Sequence, residues 1–170
     1  YIHDVNGIFP RPMSKLDSHL TNTLLYFKVL GKFLARSFLD ARLVDFHFNP
    51  LFFEIAMNYA ISNDFKYDID ESIKKIRKID ETLGSSLQHL QLYLKEFHKL
   101  PQNEWNNVKI SGAKVEDLML TFVLPGYEEI KLIPNGEEVE INSSNLEDYL
   151  NKIIDFTIYN GIKSQIESFV

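Results

Sequence analysis

Between Leu20 and Phe38, apolar or small residues return at steps of four, three, four, three and four: Leu20, Leu24, Phe27, Gly31, Leu34 and Phe38. That spacing describes one face of an α-helix and fits no strand. Gly31 stands on the same face. Glycine inside a helix costs about 1 kcal/mol relative to alanine, so its position predicts the close approach of a second backbone. A second stripe, Leu83, Leu87, Leu90 and Leu94, repeats at four, three and four, and Leu92 and Phe97 widen it. The pattern then changes from helical to extended. Leu118 to Leu124 is an apolar run rich in strand formers, closed by Pro125-Gly126, and Ile130-Lys131-Leu132 alternates. Pro134-Asn135-Gly136 signals a turn, and Val139 and Ile141 alternate with glutamates. The order is helices, a small antiparallel sheet, then helices: an α+β, mainly helical chain with an α+β insertion near residues 86–160.

Local signals supply the punctuation. Asn49-Pro50 reads as a helix start, asparagine as cap and proline in the first turn, with Leu51, Phe52, Ile55 and Tyr59 forming the apolar side. Ser62-Asn63-Asp64 reads as a break. Asp70 is the expected cap of a short helix holding Ile73, Ile76 and the basic residues Lys74, Lys75, Arg77 and Lys78, and Asp80 that of the next. Ser144-x-x-Glu147 has capping-box spacing, and the helix it opens carries Leu146, Tyr149, Leu150, Ile153 and Phe156. Asn160-Gly161 reads as a stop. Residues 1–15, with Pro10 and Pro12, read as loop, as do residues 98–114 around the single tryptophan, Trp105.

Composition narrows the function. A net charge of −6 argues against a general phosphate-backbone binder. No apolar run reaches the ~18 residues of a membrane span, and neither nucleic acid nor membrane is an expected partner. The 170 residues contain no cysteine, which removes disulfides, thiolate metal sites and cysteine nucleophiles. A reducing compartment, cytoplasm or nucleus, is the expected setting. The chain begins at Tyr1 rather than methionine, which reads as a piece of a longer polypeptide. His3, His19, His47, His89 and His98 lack metal-ligand spacing, so neither a metal nor a cofactor is expected. No Gly-rich phosphate loop or serine elbow is present. Glu128-Glu129 and Glu137-Glu138 are adjacent and would face opposite sides of a hairpin, and Asp68, Asp70 and Glu71 miss calcium-loop spacing.

A series of ordered blocks resembles the amino-terminal lobe of HECT ubiquitin ligases. Leu30–Glu54, LGKFLARSFLDARLVDFHFNPLFFE, carries a Gly-Lys helix, the turn Asp40-Ala41-Arg42-Leu43-Val44-Asp45 and a Leu-Phe-Phe-Glu helix in the family's order. Asp80-Glu81-x-Leu83-x-x-Ser86-Leu87 is similar to a family helix, and Glu116 to Phe122, EDLMLTF, to a family strand. Ile130 to Gly136, IKLIPNG, resembles the segment that follows. Val139-x-Ile141-x-x-x-Asn145-x-x-x-Tyr149 and Gln165-x-x-x-Phe169 complete the series. Ile133 departs from the family's usual lysine before the proline, and an earlier glycine-patterned segment is absent. Within the family, the resemblance is nearest to ligases of the ubiquitin-fusion degradation pathway.

The resemblance implies a HECT amino-terminal lobe, with residues 1–85 and 160–170 as a helical large subdomain and 86–159 as a small subdomain that binds a ubiquitin-conjugating enzyme. It implies a transferase of ubiquitin conjugation and proteasomal degradation, passing ubiquitin from the conjugating enzyme to a cysteine in a carboxy-terminal lobe and then to a protein substrate chosen by other regions. This piece, lacking cysteine, is expected to be inactive alone. The positions matching the family's docking groove are Leu83, Leu87, Leu90, Glu116, Asp117, Leu118, Leu120, Tyr149 and Ile153. The residues agree in part: the three leucines share a helical face, as do Tyr149 and Ile153. Taken alone, a leucine stripe reads as core and Glu116-Asp117 as a solvated strand entry. Tyr149→Ala and Leu90→Ala are expected to weaken binding while leaving the fold intact. The basic run Lys74–Lys78 reads as a solvated face, and Trp105 either as a recognition residue or as an anchor for its loop. A helical scaffold for an unrelated protein is the competing reading.

Overall fold

The computed structural model describes residues 2–4, 6–61 and 68–170. The break expected at Ser62-Asn63-Asp64 and the side chain of Tyr59 lie outside what is described. The chain divides into two compact units. The first comprises Tyr1–Lys66, Lys78–Asp80 and Asp155–Val170, and the second Tyr67–Arg77 and Glu81–Ile154. The sequence reading divides the chain at 86 and 160; the units divide it at 81 and 155, with Tyr67–Arg77 in the second.

The first unit opens with β1 (Ile2–Asp4) and β2 (Gly7–Phe9), paired antiparallel with Ile2 opposite Phe9. This corrects the loop expected over residues 1–15. The overlooked signal is Gly7, which opens β2 at φ 106°, a conformation that glycine adopts readily. β2 also meets the segment before the second helix, where the Ile8 N–H donates to the His47 carbonyl at 2.8 Å and the Asn49 N–H to the Ile8 carbonyl at 3.0 Å. Helix α1 (Leu20–Leu39) follows. It ends in a Schellman turn: Ala41 takes φ 51°, and the Arg42 N–H donates back to the Ser37 carbonyl at 2.9 Å. Helix α2 (Pro50–Ile61) starts as the sequence predicts. Asn49 Oδ1 accepts from the Leu51 N–H at 3.0 Å, while its amide donates to the Lys78 carbonyl at 2.7 Å. One asparagine thus caps a helix and pins a distant strand of chain.

The unit closes with α6 (Lys163–Phe169) against α1. A Cβ on Gly31 would lie 1.9 Å from the Phe169 carbonyl oxygen, so only glycine permits this approach. Phe52 is fully buried between Phe169 (ring centroids 4.9 Å) and Phe48 (5.7 Å). Gln165, also buried, donates to the Arg11 carbonyl at 2.9 Å and ties the two ends of the unit together.

The second unit is built on α3 (Ile69–Arg77) and α4 (Glu81–Phe97), which pack against each other. Asp68 caps α3, accepting from the Glu71 N–H at 2.8 Å. Asp70, the expected cap, instead accepts from Gln91 and from Lys95, each at 2.7 Å. The basic run is largely occupied: Lys75 faces Glu71 at 3.6 Å, and Arg77 pairs with Glu81 at 2.6 Å and Gln88 at 2.9 Å.

After α4, residues 98–114 are more ordered than a plain loop. Gln102–Asn107 forms 3-10 turns, and Trp105 stacks on Phe97 with ring centroids 5.4 Å apart. The indole N–H donates to the Leu100 carbonyl at 3.1 Å. Trp105 is therefore an anchor. The sheet is smaller than the sequence suggests: β3 is Val123–Leu124, paired with β4 (Tyr127–Lys131). Gly136 lies under this hairpin, where a Cβ would meet the Phe122 carbonyl oxygen at 2.3 Å. Helix α5 (Leu146–Ile158) completes the unit, its last four residues belonging to the first. The Ser144 capping box does not form. Ser144 turns its N–H and hydroxyl to Asn142 Oδ1 (2.9 and 2.6 Å), and Asn145 Oδ1 accepts from the Asn142 N–H at 2.8 Å. Asparagine side-chain turns close the helix entry more locally than a serine reaching three residues on.

Candidate functional site

All nine residues that the sequence singles out fall in the second unit, but they divide by depth. Leu87, Leu90, Tyr149 and Ile153 are buried, none more than 6% exposed. Leu83, Leu118 and Leu120 are partly accessible, and Glu116 and Asp117 are exposed. The buried four form the core of the unit rather than the lining of an open groove. Tyr149 meets Phe122 edge-on with ring centroids 5.5 Å apart, and burial pushes its phenol up to about 12. This corrects the expectation that Tyr149→Ala and Leu90→Ala leave the fold intact: truncating a side chain with no solvent face leaves a cavity. Leu92, read as part of the stripe, is 44% exposed because position 92 turns off the buried face.

The segment read as a strand from Leu118 takes another course. Glu116–Leu118 is a single 3-10 turn, and Met119 after it is left-handed, with φ 50° and ψ 37°. The chain then straightens. The Leu120 carbonyl accepts from the Ile141 N–H at 2.8 Å, and Thr121 bridges Glu140. The residues before Leu120 cannot continue a ladder because the left-handed turn reverses their direction.

Glu116 and Asp117 have structural partners. Glu116 Oε1 accepts from the Ser143 N–H at 2.9 Å, while Ser143 Oγ donates to Asn106 Oδ1 at 2.6 Å. Asp117 Oδ2 accepts from the Lys114 N–H at 2.8 Å. Each carboxylate orders a loop, and among the described residues neither is in an ion pair. Sequence reasoning missed the residue that carries this acidic turn toward α4. Tyr93 is fully buried, and its hydroxyl donates to the Ala113 carbonyl at 3.0 Å. Burial first, then the nearby charges of Asp117 and Glu116, hold its phenol above the ordinary value. Leu83 stands in the first turn of α4, ten residues from Tyr93, or about 15 Å along the axis. The accessible positions therefore mark a surface rather than one pocket: a leucine at the start of α4, and an acidic turn with flanking leucines near its other end.

Residues 3–170 match the HECT-domain (ubiquitin-transferase) family model, and the chain belongs to that family. The α+β architecture is that of a mainly helical amino-terminal lobe. Its relatives place it with the ubiquitin-fusion degradation group. It is 35% identical over 171 residues to a probable ubiquitin fusion degradation protein of Schizosaccharomyces pombe, covering 99% of this chain and 9% of that protein. It is 32% identical over 165 residues to ubiquitin fusion degradation protein 4 of Saccharomyces cerevisiae, covering 96% of this chain and 10% of that protein. The E3 ubiquitin-protein ligase TRIP12 of Danio rerio is 28% identical over 181 residues, covering 99% of this chain and 8% of that protein. The chain thus spans about a tenth of the length of these relatives.

Proposed function

We propose that this chain is the part of a ubiquitin ligase that receives the ubiquitin-charged conjugating enzyme. The family match over residues 3–170 carries the proposal. The second unit docks the enzyme through Leu83, Leu118 and Leu120, with Glu116 and Asp117 facing a basic flank of the partner. Leu87, Leu90, Tyr149 and Ile153 hold that surface in shape from below. Docking raises the effective concentration of the thioester beside the acceptor and fixes its approach. A cysteine thiolate of a carboxy-terminal lobe attacks the thioester carbonyl, and the conjugating enzyme's thiolate leaves. Ubiquitin then passes to a lysine of a substrate recruited by other regions, in the cytoplasm or nucleus, leading to degradation. This chain supplies no nucleophile, since it contains no cysteine.

Titration calorimetry of a panel of ubiquitin-charged conjugating enzymes against the chain tests this. The expected result is saturable binding, no ubiquitin thioester on the chain, and a loss of about 1–3 kcal/mol in Leu120→Ala. The absence of binding across the panel refutes the docking role.

A further inference from the structure

We draw no further inference here: the strongest candidate, the outer face of α1 in the first unit, where Leu25, Tyr26, Val29, Phe33 and Phe38 stand exposed, carries none because nothing in the structure shows what covers it.

Discussion

Helices α1 and α4 carry the same apolar spacing in sequence and meet different fates in the fold. α4, with 17 residues, buries Gly84, Leu87, Leu90, Gln91, Tyr93, Leu94 and Phe97. α1, with 20, buries Gly31, Leu34 and Ser37. Phe38, on the expected face of α1, is 75% exposed, as are, to lesser degrees, Leu25, Tyr26, Val29 and Phe33 on other sides of the helix. The difference lies in what covers each helix. α4 has α3 along one side and the Trp105 and Tyr93 anchors drawing the following loop over its last turns. α1 has α6 packed against it at Gly31, and the rings of Phe52 and Phe46 against Phe27 and Phe33 at 6.3 and 6.2 Å. A periodic stripe therefore states which side of a helix can be buried. Whether that side is covered depends on residues far away in sequence.

Substitutions on the two helices test that contrast. Leu90→Ala in α4 is expected to destabilise the second unit by about 2–5 kcal/mol, the cost of lost burial plus a cavity. Urea unfolding followed by circular dichroism measures it, and a loss under about 1 kcal/mol would place Leu90 at an accessible surface after all. Gly31→Ala in α1 is expected to cost about 1–3 kcal/mol despite alanine's better helix propensity, because the new methyl group meets the Phe169 backbone, which has no rotamer by which to move aside. Increased stability in the same assay would mean that α6 does not approach as described. Phe38→Ser, on the same helix, is expected to shift stability by no more than about 0.5 kcal/mol. A large loss there would show that the exposed face of α1 is covered in solution, and sedimentation of the parent chain would tell whether by a second copy.

Much of the fold was legible from local chemistry. The Asn49-Pro50 start, the Gly31 approach and the Asn160-Gly161 stop each depend on side chains acting within a few residues, or on a shape requirement that only one residue type meets. The switch from helical to extended pattern near Leu118 located the sheet, though not its small extent. Illegible were the points where two local solutions compete. Ser144 and Asn142 both offer an oxygen to the entry of α5, and Asp68 and Asp70 both stand at the start of α3, one before its first residue and one within its first turn. In each case the winner depends on what else each side chain can reach, and Asp70 is drawn to Gln91 and Lys95 of another helix.

The candidate site shows the same limit. The sequence, through its ordered motif blocks, established the family and brought Leu83, Leu118, Leu120, Glu116 and Asp117 into view. Depth was beyond it: Leu87, Leu90, Tyr149 and Ile153 have the same residue types and spacings whether they line a groove or fill a core. Only the tertiary structure decided that they fill it, because burial is a property of the atoms packed above a side chain, and those belong to distant segments such as the one bearing Phe122. The tertiary structure also decided Met119. A sequence lists it as one apolar residue among three, while the folded backbone turns it left-handed and leaves it standing in solvent.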